Sequence, residues 1–240
     1  ASCLVGSEMC IRDRSNLLNT IQVMSNKRLI IALDFKNIDE MSHFVSNLDP
    51  QKCIIKVGLQ LFISEGPKVL DFLSQRGFEI FLDLKLHDIP NTVRKAVEEI
   101  SQYNVKLTTI HLQGGRDMIQ AANQVKGDTK ILGVSLLTSL DDSDTRELYN
   151  NDLEKQFNNL INLATETKVD GIVCSSQELE LITDSSLIKV VPGIRNQESS
   201  DDQKRVMTSS EAYSNGADYI VVGRPITQAK YIEEAVKDYS

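Results

Sequence analysis

The chain has 240 residues, of which 41% are hydrophobic and only 5% aromatic, with no Trp, so it can bury a sizeable core and must build it from Ile, Leu and Val. Its formal net charge of −8 argues against a nucleic-acid backbone as the main partner, which would need clustered Lys and Arg, yet leaves room for a small anionic ligand held by a few placed cations. No run approaches the roughly 18–20 apolar residues of a membrane span. The four cysteines (Cys3, Cys10, Cys53, Cys174) show no paired metal spacing and read as reduced thiols of a cytoplasmic protein.

Ala1 to Val23 differs in texture from the remainder of the chain. Cys10-Ile11-Arg12-Asp13-Arg14 sets charges after only a short apolar stretch, a poor fit to a secretory signal. We read 1–23 as a disordered leader or a read-through extension, and residues 24–240, from Met24, as one catalytic domain. Along that domain, β-branched runs alternate with amphipathic segments. The spacing predicts strand Leu29–Leu33, helix Ile38–Leu48, strand Cys53–Val57, helix Leu61–Gln75, strand Glu79–Leu84 and helix Asn91–Gln102. Then come strand Leu107–Leu112, helix Arg116–Val125, strand Ile131–Leu137, helix Leu153–Thr167, strand Gly171–Cys174 and a short helix Gln177–Ile182. Strand Ile188–Val191, helix Asp202–Ser214, strand Tyr219–Val222 and helix Thr227–Asp238 complete the pattern. Eight strands alternating with eight helices argue for a single parallel (β/α)₈ barrel, with a doubly wound open sheet as the alternative. Asn196–Lys204 is the best loop candidate, after the seventh strand.

Polar residues collect where the strands end, the face on which such barrels assemble active sites. Strand one runs into Asp34, and strand two carries Lys56 before Gly58. Strand three gives Asp83 and Lys85, which i, i+2 alternation would project together. Strand four gives His111, strand five Thr138-Ser139, strand seven Pro192-Gly193-Ile194-Arg195 and strand eight Gly223-Arg224. Each has a plainer reading. Asp34 could cap the helix beginning near Asn37, His87 and His111 could be structural hydrogen-bonding residues, and Lys56–Asp83 could be only an ion pair. Lys56 is the hardest to set aside, because a lysine among apolar neighbours needs a partner, and Asp83 on the next strand is the natural one. Gly223-Arg224 before a helix suits a phosphate: glycine exposes its N–H and a guanidinium grips oxygens bidentately.

Taken together, Ala32-Leu33-Asp34, Ile55-Lys56-Val57-Gly58, the block Asp83-Leu84-Lys85-Leu86-His87-Asp88-Ile89-Pro90-Asn91-Thr92, Leu137-Thr138-Ser139, Pro192-Gly193-Ile194-Arg195, Asp202-Gln203 and Val222-Gly223-Arg224-Pro225-Ile226 resemble the orotidine 5′-phosphate decarboxylase family from Arg28 to Lys237. The resemblance implies a homodimer needing no cofactor and no metal, converting orotidine 5′-monophosphate to UMP and carbon dioxide, the last step of pyrimidine synthesis. It implies a catalytic charge network of Lys56, Asp83, Lys85 and Asp88, with Asp88, Ile89 and Thr92 reaching the neighbouring subunit's site. It also implies that Asp34 and Lys56 bond ribose hydroxyls, that Thr138 and Ser139 lie near the pyrimidine, and that Gln203, Gly223 and Arg224 hold the phosphate, with Arg195 bordering it. The rival within the same barrel group is a Mg²⁺-dependent sugar-phosphate decarboxylase or aldolase. Relatives of that kind resemble one another in an acidic metal ligand on the second strand, where this chain has Lys56, a charge that would repel a divalent cation. A catalytically dead phosphate-binding barrel is the other alternative, and all four network residues speak against it.

Overall fold

β-branched and leucine runs of four to seven residues, each followed by a segment with one apolar face, fold as parallel strands only if helices cover the sheet. The computed structural model, which describes residues 28–184, 186–196 and 207–240, has this form. In chain order it contains β1 (Leu29–Leu33), α1 (Ile38–Val45), β2 (Ile54–Gly58), α2 (Leu59–Glu65), α3 (Lys68–Ser74), β3 (Ile80–Leu86) and α4 (Pro90–Ile100). There follow β4 (Val105–His111), α5 (Gly115–Asn123), β5 (Lys130–Val134), α6 (Asp142–Tyr149), α7 (Leu153–Thr167) and β6 (Gly171–Val173). The last elements are β7 (Ile188–Pro192), α8 (Ser209–Ser214), β8 (Tyr219–Val222), α9 (Arg224–Thr227) and α10 (Ile232–Tyr239). The strands pair in sequence order, all parallel, and β8 returns to β1, which closes the barrel and excludes the open sheet. The expected domain start near Met24 and the segment Ala1–Val23 lie outside the described residues.

Alternation along the strands separates two cores. Ile31, Leu33, Ile55, Val57, Leu82 and Val222 face outward under the helices. Ile30, Ala32, Ile54, Phe81, Leu107, Leu132, Val190 and Val221 fill the barrel interior as an apolar plug. The next inward-facing position on each strand therefore stands on that plug at the C-terminal mouth. By this parity the mouth receives Asp34 from β1, Lys56 from β2, Asp83 from β3, Thr109 from β4 and Gly223 from β8. At the opposite end, aspartates staple strand starts. Asp170 accepts from Ile131 N at 2.9 Å and from Lys130 at 3.2 Å, and Asp218 accepts from Lys189 N at 2.8 Å.

Several expected elements differ, each for a local reason. The helix read over Leu61–Gln75 is two helices, because Gly66 adopts φ +61° and Pro67 cannot donate to continue the first. An unexpected helix, α6, precedes α7. It buries only Thr145, so no apolar periodicity announces it, and the reciprocal Asp141/Asp144 capping box sets its start. Gln177–Ile182 is not an α-helix but a single 3₁₀ turn at Leu179–Leu181, where the buried Glu178 carboxylate bends back to accept from Ser175 N at 2.8 Å. β5 stops at Val134, short of the expected Leu137. The last helix divides into the single turn α9 and the longer α10. Of the helix read over Asp202–Ser214, Ser209–Ser214 is helical and residues 202–206 lie outside the described residues.

The wall at β6 has no room to spare. A Cβ on Gly171 would stand 2.4 Å from the carbonyl oxygen of Ile188 and 2.6 Å from its Cβ. Gly171→Ala is therefore expected to lower the unfolding free energy by about 1–3 kcal/mol through forced backbone displacement. A urea denaturation midpoint equal to that of the parent chain would show that the β6–β7 spacing gives way freely.

Candidate active site

The mouth of the barrel is organised around one carboxylate. Asp83 is 8% exposed, and its oxygens accept from Lys85 Nζ at 2.8 and 2.9 Å. Lys56 Nζ stands 3.4 Å from the same carboxylate and 3.8 Å from Asp34. Asp34, Lys56, Asp83 and Lys85 thus form a continuous chain of alternating charge drawn from three adjacent strands. The plainer reading of Asp34 fails: Asn37 caps α1, its side chain accepting from Glu40 N at 2.9 Å, which leaves Asp34 to face the lysine. The glycines here keep space for these groups. A Cβ on Gly58 would come within 3.1 Å of Lys56 Nζ, and one on Gly223 within 3.6 Å of Asp34.

Asp83 and Lys85 meet, though not by regular alternation. The register between β3 and β4 slips between Leu82, opposite Thr108, and Leu86, opposite Ile110, so β3 carries extra residues in a bulge. Within it Lys85 takes φ +52°, a left-handed conformation that costs a non-glycine residue about 1–2 kcal/mol. The bulge turns the Lys85 side chain back onto the Asp83 carboxylate and removes its N–H from the ladder. That N–H finds Thr109 Oγ1 at 2.9 Å, and the same hydroxyl donates to Asp83 at 3.0 Å. Thr109 is fully buried on β4, and the strand-end pattern of the sequence does not single it out. Its signal in the sequence is a hydroxyl at the inward parity of Leu107, one turn of the pleat above the apolar interior.

Electrostatics reflect this packing. Burial is the largest influence on Asp83 and raises its pKa, but the Lys56 and Lys85 ammoniums, with hydrogen bonds from Lys85 and Thr109, together outweigh it and hold the carboxyl below its usual range. His111 is shifted down, chiefly by burial, with His87 and Lys85 adding to the effect against Gln113 and Asp83. His111 Nδ1 lies 2.9 Å from Gln113 Oε1, and Gln113 Nε2 donates to the Ser135 carbonyl at 2.6 Å, so the imidazole is held in a structural relay beside the network. Its ring is 5.4 Å from that of His87.

The remaining expected residues stand around this centre. Asp88 is exposed and accepts only from Ile89 N at 2.6 Å; among the described residues it makes no ion pair. Ile89, at 66% exposure, and Thr92 face solvent with it at the start of α4, where Pro90 occupies the first turn. Thr138 and Ser139 are exposed in the loop between β5 and α6. Arg195 is buried after β7, and its N–H donates to the Met207 carbonyl at 2.9 Å. Gly223 and Arg224 open the single turn α9, whose Ile226 and Thr227 N–H groups donate to the Gly223 carbonyl. Gln203 and most of the loop read over Asn196–Lys204 lie outside the described residues. Asn196, at its base, is tied down: its N–H donates to the Tyr239 hydroxyl at 3.1 Å, and Ser209 N donates to its side chain at 2.9 Å. Among the described residues no group of three or more His, Cys, Asp and Glu side chains could hold a metal ion. Between Asp34 and Asp83, where a cation could lie, an ammonium already stands.

Comparison with known proteins matches this arrangement to one family. The model of the orotidine 5′-phosphate decarboxylase / HUMPS family matches residues 27–239. The orotidine 5′-phosphate decarboxylase of Streptococcus sanguinis (strain SK36) is 43% identical over 215 residues, covering 86% of this chain and 94% of that protein. The protein of the same name from Staphylococcus haemolyticus (strain JCSC1435) is 42% identical over 224 residues, 88% of this chain and 94% of its own length. Among solved structures, orotidine 5′-phosphate decarboxylase from Lactobacillus acidophilus superposes with a TM-score of 0.80 at 33% identity, covering 89% of this chain and 99% of that one.

The depressed Asp83 pKa has a testable sign. A carboxyl whose folded pKa lies below its unfolded value, about 3.9, contributes stability that is present above that value and is lost as pH falls through the folded pKa. Unfolding measured from pH 6 down to pH 2 is expected to show a steeper acid loss in the parent chain than in Asp83→Asn. Equal slopes below about pH 4 would mean that the lysines do not hold this carboxylate ionised.

Proposed function

The chain belongs to the orotidine 5′-phosphate decarboxylase / HUMPS family, and from that premise we propose that it decarboxylates orotidine 5′-monophosphate to UMP and carbon dioxide, the last step of pyrimidine synthesis. The observation that carries the reading is the Asp34–Lys56–Asp83–Lys85 charge chain seated on the apolar plug. Loss of carbon dioxide leaves an electron pair on a ring carbon with no good delocalising partner, so the site must supply positive charge and a proton at that carbon. In our reading Lys85 does both: its ammonium stabilises the developing carbanion and then donates its proton to it. Asp83 fixes both lysines, so that little reorganisation is needed as charge develops.

For the rest of the substrate we assign Asp34 and Lys56 to ribose hydroxyls, Thr138 and Ser139 to the pyrimidine, and Gln203, Gly223 and Arg224 to the phosphate, with Arg195 bordering it. Binding energy from the phosphate, remote from the reacting carbon, would then help hold the ring against Lys85. No step in this scheme requires a cofactor or a metal. The Mg²⁺-dependent alternative finds no support, because the second-strand position it needs as an acidic ligand is Lys56.

We further propose a homodimer in which Asp88, Ile89 and Thr92 complete the neighbouring site. In the single chain Asp88 is exposed and makes no ion pair among the described residues, and exposed apolar side chains (Leu59 and Ile63 on α2, Ile89 before α4) follow the adjacent strands β2 and β3. No described helix is long and apolar enough to cross a membrane, and we assign the enzyme to the cytoplasm with the other steps that make nucleotides.

The purified chain is expected to consume orotidine 5′-monophosphate, followed as falling ultraviolet absorbance, at a rate unchanged by EDTA. Folded protein without turnover would overturn the assignment, and a strict Mg²⁺ requirement would favour the rival. Lys85→Ala and Asp88→Ala homodimers should each be inactive, while co-refolded mixtures regain activity from hybrid dimers, in which one site has both groups intact. Mixtures as inactive as either parent would argue against a shared site.

A further inference from the structure

We propose that Thr109 is a positioning residue of this site: its hydroxyl locks the β3 bulge and thereby aims Lys85 at the reacting carbon. The inference rests on the reading of Lys85 as the proton donor. A threonine hydroxyl has one hydrogen to donate and lone pairs to accept with, and here both capacities are used within the network. It donates to Asp83 Oδ1 at 3.0 Å and accepts the Lys85 N–H at 2.9 Å. One oxygen atom therefore ties the main chain of Lys85 to the carboxylate that its own side chain grips at 2.8 Å, closing a small ring of three hydrogen bonds.

The ring answers a specific need. The bulge frees the Lys85 N–H from the strand ladder, and the fully buried Thr109 hydroxyl is the acceptor that replaces the lost ladder bond. Lys85 is also held at φ +52°, away from the backbone conformation it would take in a regular strand. Without the hydroxyl, the Lys85 N–H loses its acceptor and its main chain is free to leave the left-handed conformation, which shifts the ammonium from its position on Asp83. The neighbouring Thr108 provides an internal contrast. It is equally buried, but its hydroxyl donates to the Leu82 carbonyl at 3.1 Å, a bond to main chain outside the charge network.

The test compares three variants on folded protein. Thr109→Val keeps the shape and removes the hydroxyl; it is expected to lower kcat about 10- to 100-fold through misplacement of the donor, with KM changed less than about threefold. Thr109→Ser, which restores the hydroxyl, should recover most of the lost turnover. Thr108→Val, which removes a comparable hydrogen bond one residue away, should retain the parent kcat. A readout independent of turnover is the labelling of Lys85 by an amine-reactive reagent, mapped by peptide mass spectrometry. It is expected to rise severalfold in Thr109→Val relative to the other lysines. A parent-like kcat together with unchanged Lys85 labelling would overturn the proposal, as would an equal loss in Thr108→Val. If the parent chain itself fails to turn over the substrate, the proposed activity falls, and the labelling comparison alone decides the role of Thr109.

Discussion

A carboxylate held at the edge of an apolar interior is stable as an anion only if positive charge and hydrogen-bond donors surround it. Asp83 meets that condition with Lys85, Lys56 and Thr109, each supplied by a different part of the wall. The requirement runs both ways. Lys56 stands on the same apolar plug and needs the anion, and Asp34 extends the alternation outward to the solvent-exposed rim. Removing the central charge would leave two ammoniums facing each other in a poorly hydrated space. The placement of every other group at the mouth is therefore conditioned by this one.

Barrel geometry makes the arrangement possible without long connecting loops. Parallel pairing brings inward-facing positions of neighbouring strands to adjacent levels, Lys56 opposite Ala32 and Phe81, and Asp83 opposite Gly58, so single residues from β1, β2, β3 and β4 converge although they are far apart in sequence. The inward residues beneath them, among them Ile30, Ile54, Phe81, Leu107 and Val221, form the floor. That floor supplies the low polarity in which fixed charges act most strongly on a reacting atom. The staples from Asp170 and Asp218 hold the opposite end of the wall, remote from the chemistry, which separates rigidity from reactivity along each strand.

The bulge in β3 is the local departure that gives the site its direction. A regular strand would keep the Lys85 backbone extended, with its N–H committed to the ladder. The left-handed turn at that residue instead folds the ammonium back over Asp83, and the chain then leaves the barrel wall within a few residues, carrying Asp88 and Ile89 into solvent. Local strain at a functional residue, sustained by surrounding hydrogen bonds, is a common way to hold a reactive group in one orientation.

Much of this was legible in the sequence. The β-branched runs specified the strands, because their inward and outward faces are both buried and admit little else. The order of strand and helix specified the barrel, and Lys56 among apolar neighbours announced a partner before the fold was known. α6 was illegible because a helix that buries only Thr145 leaves no apolar period to read, and the break at Gly66-Pro67 lay hidden inside an otherwise continuous amphipathic pattern. By itself, then, the sequence determined which residues carry charge at the strand ends and on which strand each lies, since periodicity and composition are local properties. Only the tertiary structure decided that Asp34 faces Lys56 rather than capping a helix, that Lys85 reaches Asp83 through a bulge, and that Thr109 closes the ring between them. Those outcomes depend on the register between neighbouring strands, a relation between distant segments that no single stretch of chain contains.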